Sequence, residues 1–168
     1  VNLVDSMKCS IWFSVPSFLV YLLTMRVMTE DTFQSIRVFT FGGEGFPKGA
    51  LKKLYDTYGR RAEIINVYGP TEGTCICSSY NIGEKDFNDM NTLAPLGSIN
   101  PNFDYIVIDQ NMRNVQCGEK GELCLIGPNV ALGYYNDWER TSESFVQNPN
   151  TFSHRDIMYK CGDVVYEK

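Results

Sequence analysis

The sequence predicts an α/β fold: a parallel β-α-β-α-β unit followed by a small antiparallel sheet or distorted barrel. Three observations carry this reading. Up to about Asn100, short β-rich apolar runs alternate with stretches whose apolar residues keep helical spacing. The connections between those runs are too long for hairpins, so the strands pair in parallel with right-handed crossovers. Beyond Asn100 only short β-rich runs remain, separated by turn residues. The expected division is therefore 1–99 for the parallel portion and 100–168 for the β-rich portion.

The first strand is read at Ser10 to Val15, with Pro16 placed where a helix can begin. From Ser17 to Met28, residues Phe18, Tyr21, Leu22, Met25 and Met28 lie on one helical face. Ile36 to Phe41 forms the second strand, stopped by Gly42-Gly43. Leu51, Leu54, Tyr55 and Tyr58 mark the next helix, with Pro47 near its start and Gly59 just past its end. Ala62 to Val67 is the third strand. In the second portion, strands are expected at Tyr105 to Asp109, Glu122 to Ile126, Ile157 to Lys160 and Val164 to Tyr166, with a short helix near Thr141 to Phe145. Gly83 to Asn91 reads as a polar surface loop.

Composition narrows the function classes. Of 168 residues, 43% are hydrophobic and 21% charged, which suits a folded domain rather than a disordered tail. Fifteen Lys and Arg against twenty Asp and Glu give a net charge of -5 with no basic cluster, so nucleic acid is not expected as a partner. The longest apolar stretch, Phe18 to Met28, is interrupted by Thr24 and Arg26 and falls short of the roughly 20 residues that span a bilayer. The first residues show no charged segment leading into an apolar core, so neither a secretory signal nor a membrane partner is expected. Six scattered cysteines without a C-x-x-C pair, and a single histidine, argue for reduced thiols in a cytoplasmic protein rather than a disulfide framework or zinc site.

In an open parallel sheet, ligands bind beyond the carboxyl ends of the strands. Two loops leave such ends here: Gly42-Gly43-Glu44-Gly45 and Tyr68-Gly69-Pro70-Thr71-Glu72-Gly73-Thr74. Paired glycines let a backbone approach a flat ligand. The second loop supplies an aromatic ring, a hydroxyl and a carboxylate within five residues, the groups needed to stack a base, bond a phosphate and hold Mg²⁺ through oxygen.

Asn66-Val67-Tyr68-Gly69-Pro70-Thr71-Glu72 resembles the N-x-Y-G-P-T-E motif of adenylate-forming enzymes, specifically the amino-acid adenylation domains of nonribosomal peptide synthetases and related carrier-protein ligases. Phe41-Gly42-Gly43-Glu44 resembles their adenine loop. Gly121-Glu122-Leu123-Cys124-Leu125-Ile126-Gly127-Pro128, running on to Ala131-Leu132-Gly133-Tyr134-Tyr135, resembles G-E-L-x-I-x-G-x-x-x-x-x-G-Y, and Tyr159-Lys160-Cys161-Gly162-Asp163 resembles Y-[RK]-T-G-D. The four stretches occur in the family's order across nearly the whole chain.

The resemblance implies ATP and Mg²⁺ as cofactors, an amino acid as substrate and a phosphopantetheinyl carrier protein as partner. It implies that the Gly42-Gly43-Glu44 backbone lines the adenine, that Tyr68 stacks on it, that Thr71 meets the α-phosphate, that Glu72 ligates Mg²⁺ and that Asp163 accepts bonds from both ribose hydroxyls. Cys161 stands where the family has Thr, removing any hydroxyl contact there. The side-chain pocket maps onto Trp12, Thr40, Gly42, Val67, Cys75 and Ile76, a neutral set that suits a small-to-medium neutral amino acid.

Nothing in these residues resembles the family's Ser/Thr/Gly-rich phosphate loop; Pro47-Lys48-Gly49 follows the adenine loop and has no such run before it. The C-terminal subdomain with its lysine is not recognisable either. The chain is therefore expected to be a central segment of the large N-terminal subdomain, inactive by itself and prone to self-association. An acyl- or aryl-CoA synthetase and a non-catalytic nucleotide-binding scaffold stay open as alternatives. Pro70 favours amino-acid adenylation over the first, and intact Glu72 and Asp163 speak against the second.

Overall fold

A computed structural model describes residues 2–167. They form two compact units: one runs up to Tyr68 and resumes at Ser78–Ser98, and the other comprises Gly69–Cys77 and everything from Ile99 onward. The 99/100 division read from sequence thus misplaces one segment. Residues 69–77 belong with the second unit, because their backbone and side chains bond to its 127–134 loop: Thr74 Oγ1 donates to the Asn129 carbonyl at 2.7 Å and Ala131 N–H to the Glu72 carbonyl at 2.8 Å.

The first unit opens with helix α1 (Asn2–Ser6), which the sequence reading did not anticipate. Strand β1 (Ile11–Ser14) follows, then helix α2 (Pro16–Thr24) with Pro16 in its first turn. The helix ends four residues earlier than its apolar spacing predicts. Arg26 takes a φ of +56° and turns the chain, yet Met28 still reaches the core from the loop. Strand β2 (Val38–Gly42), helix α3 (Lys48–Tyr58) and strand β3 (Glu63–Tyr68) complete the β-α-β-α-β unit. Strands β1, β2 and β3 pair in parallel, in the order β1-β2-β3.

Two further strands extend this sheet. β4 (Ser78–Asn81) pairs antiparallel with β3, and the two-residue β5 (Ser98–Ile99) lies beyond it. The sequence reading missed β4, whose Ser78-Ser79-Tyr80-Asn81 has little β-type patterning; its place comes from register with Ile65–Tyr68. The 83–91 stretch is more ordered than a surface loop. It holds a 3-10 turn over Glu84–Phe87, where Asp86 accepts from the Gly83 N–H and the Tyr80 hydroxyl, both at 2.8 Å, while its carbonyl takes the buried Lys48 ammonium.

One face of the sheet carries the core. Phe39 and Phe41 of β2 and Ile64 of β3 pack with Leu19 of α2, with Leu51, Leu54 and Tyr58 of α3, and with Phe33. Fully burying such a side chain contributes roughly 1.5–3 kcal/mol. Tyr58 is wholly buried, and its hydroxyl donates to the Thr29 carbonyl at 3.0 Å. The Arg61 guanidinium lies 4.7 Å from its ring centre and donates to the Thr32 and Phe33 carbonyls at 3.0 Å, tying the 29–36 connection to α3.

The second unit is a four-stranded antiparallel sheet in the order β6-β7-β9-β8, formed by β6 (Asp104–Ile108), β7 (Gly121–Ile126), β8 (Phe145–Gln147) and β9 (Ile157–Val165). Helix α4 (Trp138–Ser144) precedes β8 and is capped by the Asp137 carboxylate accepting from Arg140 N–H at 3.1 Å. Of the two expected forms, the sheet is the one adopted. The runs read as separate strands at Ile157 and Val164 are one strand interrupted by a bulge: Lys160 pairs with Cys124 and Val164 with Glu122, leaving residues 161–163 to loop out. Gly162 sits there at φ +75°, a conformation costly to residues with a Cβ.

None of the six cysteines is in a disulfide. Burial pushes the Cys77 thiol up to about 11 and the Cys124 thiol up to about 12, whereas Cys75 and Cys117 are exposed. Thiolate is the reactive form. Native-state alkylation at neutral pH is therefore expected to modify Cys75 and Cys117 first and to spare Cys77 and Cys124 until the protein unfolds. Peptide mass mapping checks this, and early labelling of Cys124 would contradict the packing. Among the described residues no helix is long and apolar enough to cross a membrane.

Candidate active site

In the first unit, Gly42 ends β2 and pairs in register with Val67 on β3, so both following loops leave the sheet from the same end. A Cβ on Gly42 would lie 2.4 Å from the Val67 carbonyl oxygen, which explains the glycine by strand packing. Tyr68 is the last residue of β3 and half-buried. Glu44 has a local duty: its carboxylate accepts from Ser17 N–H at 3.1 Å, satisfying a donor in the first turn of α2. Asn66, buried in β3, donates to the Pro95 carbonyl at 2.9 Å and orients the strand end.

The pocket residues read from sequence divide between sheet faces and units. Thr40, Gly42 and Val67 share one face, because Thr40 pairs with Ile65 and Gly42 with Val67. Trp12 does not join them. Its register partner is Phe39, on the core face, where its ring meets Phe33 at 5.4 Å and Phe18 at 5.9 Å. The β1 residue on the face of Thr40 is Phe13, its register partner. A strand's period of two makes a one-residue offset a change of face, so Trp12 does not lie on the face of Thr40, Gly42 and Val67 with which the sequence grouped it. Cys75 and Ile76 lie in the second unit, Cys75 exposed with φ +76°.

In the second unit, Thr71–Gly73 forms a 3-10 turn that exposes Thr71 and half-buries Glu72. The Tyr134 hydroxyl donates to Glu72 Oε1 at 2.6 Å. Tyr134 is itself held on several sides. Its ring meets Phe145 edge-on at 5.5 Å, the Arg140 guanidinium lies 4.0 Å from its ring centre, and its N–H donates to Thr141 Oγ1 at 2.8 Å. Tyr159, buried on β9 beside Phe145, completes the group.

The Tyr134 bond is the main cause that holds the Glu72 carboxyl below the usual carboxylate range; partial burial opposes it, and the Tyr159 hydroxyl and Arg140 charge assist. Burial, the Tyr134 hydroxyl and the Glu72 charge push the Tyr159 phenol well above its usual value, so it stays a neutral donor. An ionised carboxylate beside an exposed hydroxyl fits Mg²⁺, which is commonly bound through one or two carboxylates plus substrate phosphates. Among the described residues no cluster of three or more His, Cys, Asp or Glu would cage a metal by itself.

Asp163 lies in the β9 bulge and is exposed. Glu122 fixes that bulge: Oε1 accepts from Gly162 N–H at 3.1 Å and Oε2 is 3.5 Å from the Lys160 ammonium. Sequence reading named neither Glu122, Tyr134, Tyr159 nor Arg140 as site residues. Three of these stand inside stretches already recognised as motifs, and only Arg140 had no signal.

The sequence matches the profile of the AMP-binding enzymes over residues 1–135. The chain belongs to the AMP-binding enzyme family. Among the relatives, it is 32% identical over 141 residues to a D-alanine--D-alanyl carrier protein ligase of Bacillus velezensis, an alignment covering 84% of this chain and 28% of that protein. The N-terminal subdomain of Klebsiella oxytoca NpsA, solved with 3-hydroxyanthranilyl-AMSN, has the same fold, with TM-score 0.83, 23% identity, and coverage of 99% of this chain and 41% of that one. The nonribosomal peptide synthetase FmoA3 in its AMPPNP-bound form superposes with TM-score 0.82 at 27% identity, over 96% of this chain and 17% of that one. The chain thus spans about a quarter of the ligase it matches.

Proposed function

We propose that this chain is the central segment of an ATP-dependent amino-acid adenylating enzyme. The observation that carries this reading is Glu72, held ionised in the turn directly after the strand that ends in Tyr68. In the reaction, a substrate carboxylate oxygen attacks the α-phosphorus of ATP. The bond to the bridging oxygen breaks, and the electron pair leaves with pyrophosphate to give an aminoacyl-adenylate. The aminoacyl group then passes to a carrier protein's phosphopantetheine thiol, releasing AMP. Bound Mg²⁺ would neutralise charge on the phosphate oxygens.

The residues supply positioning. Tyr68 stacks on adenine beside the Gly42-Gly43-Glu44 backbone, Thr71 offers a hydroxyl to the α-phosphate, Glu72 holds the metal and Asp163 takes the ribose hydroxyls through its paired acceptors. In the first unit the substrate side chain rests on the face of Phe13, Thr40, Gly42 and Val67. These residues carry no charge, nor do Cys75 and Ile76 read from the sequence, which favours a small-to-medium neutral amino acid. Ile11, Phe13, Phe18, Tyr21 and Met25 are exposed apolar side chains, so the 168-residue chain by itself is expected to self-associate.

ATP–pyrophosphate exchange tests the reading. The full-length enzyme is expected to exchange with one or a few neutral amino acids among the proteinogenic set plus D-alanine. Best activation of Asp, Glu, Lys or Arg would refute the pocket. Activation of acyl or aryl acids instead would make the enzyme a CoA synthetase. The 168-residue chain alone is expected to give no exchange, and robust exchange would show that it holds a complete site.

A further inference from the structure

We propose that Tyr134 is the positioning residue for Glu72, its hydroxyl fixing one carboxylate oxygen so that the group meets the metal in a single orientation. The inference rests on the reading of Glu72 as a Mg²⁺ ligand and goes beyond it, since it gives Tyr134 a role that acts through the Glu72 carboxylate. The glutamate side chain has three rotatable bonds, and an exposed one samples many orientations. Here the 2.6 Å bond from Tyr134 removes that freedom. The same loop grips the backbone of the turn, through Ala131 N–H to the Glu72 carbonyl and through the Asn129 carbonyl accepting from Thr74 Oγ1. Residues 129–134 therefore hold both the main chain and the side chain of the carboxylate segment.

The tyrosine can do this because it is rigid. Phe145 lies against its ring edge, Arg140 covers a ring face, and Thr141 Oγ1 accepts its N–H while donating to the Asp137 carbonyl at 2.6 Å. Gly133, just before it, has φ +142°, and a Cβ there would stand 2.4 Å from the Thr141 methyl. The first turn of α4 is thus locked to Tyr134, and Tyr134 to Glu72. Groups that orient a metal ligand without touching the metal commonly change metal affinity by roughly ten- to a hundredfold when removed.

The test uses the full-length enzyme with AMPPNP and Mn²⁺, whose binding is read by electron paramagnetic resonance, alongside the KM for Mg²⁺ in pyrophosphate exchange. Tyr134→Phe keeps the ring, its Phe145 and Arg140 contacts and the N–H bond. It is expected to weaken Mn²⁺ binding and raise the KM for Mg²⁺ by about tenfold, with the amino-acid KM and the unfolding midpoint near wild type. Glu72→Gln runs beside it. If Glu72→Gln weakens Mn²⁺ binding and Tyr134→Phe does not, the positioning role is overturned and the metal reading stands. If Glu72→Gln leaves Mn²⁺ binding unchanged, both fall. Should Tyr134→Phe lower the unfolding midpoint substantially, Thr141→Val, which frees the tyrosine backbone, supplies the second measurement. Unchanged Mn²⁺ affinity there would also count against the proposal.

Discussion

Glu72→Gln in the full-length enzyme is expected to lower Mg²⁺-dependent ATP–pyrophosphate exchange on the order of a hundredfold or more, while the thermal midpoint stays near that of the wild type. The size follows from removing a fixed charge from a site whose task is to offset phosphate charge. Stability is spared because glutamine has the same shape, and its carbonyl oxygen can still accept from the Tyr134 hydroxyl. Exchange rates measured across Mg²⁺ concentrations, with circular dichroism on the same preparation, decide the matter. Activity within threefold of wild type would remove Glu72 from the site, since no ordinary fold defect could then conceal its role.

Gly69→Ala is expected to be the most damaging of the conservative substitutions, at about 3 kcal/mol of stability. A Cβ at Gly69 would stand 1.5 Å from the Cys75 carbonyl oxygen and 2.8 Å from the Ile76 Cα. Both obstacles are backbone atoms, so no side-chain rotation relieves them, and the turn that carries Thr71 and Glu72 must open. Exchange activity should fall with stability for that reason. Gly49→Ala provides the contrast: nothing lies within 4 Å of its Cβ, it sits in the first turn of α3, and alanine there is expected to stabilise by up to about 1 kcal/mol. Urea unfolding of the three proteins distinguishes them, and a Gly69→Ala midpoint equal to wild type would show that the turn is not closed as described.

The alternation of apolar runs determined the β-α-β-α-β order by itself. Phe39 and Phe41 on β2, and Leu51, Leu54 and Tyr58 on α3, each bury one face, and a buried face must repeat at the period of its element. The motif strings likewise marked Gly42, Gly43, Tyr68, Thr71, Glu72 and Asp163, because short segments that shape a backbone keep their chemistry in consecutive residues. The sequence could not set the face of a strand to within one residue: register with Phe39 and Thr40 places Trp12 and Phe13 on opposite sides. Nor could it find β4, whose serines and asparagine take strand form only because β3 offers them an edge. The Tyr134–Glu72 bond joins residues 62 positions apart, and Glu122 reaches 40 positions to the bulge at Gly162. Local patterning carries no information on such pairs: propensity and periodicity are properties of neighbours along the chain, whereas these contacts exist only once a strand, a turn and a loop have been packed together.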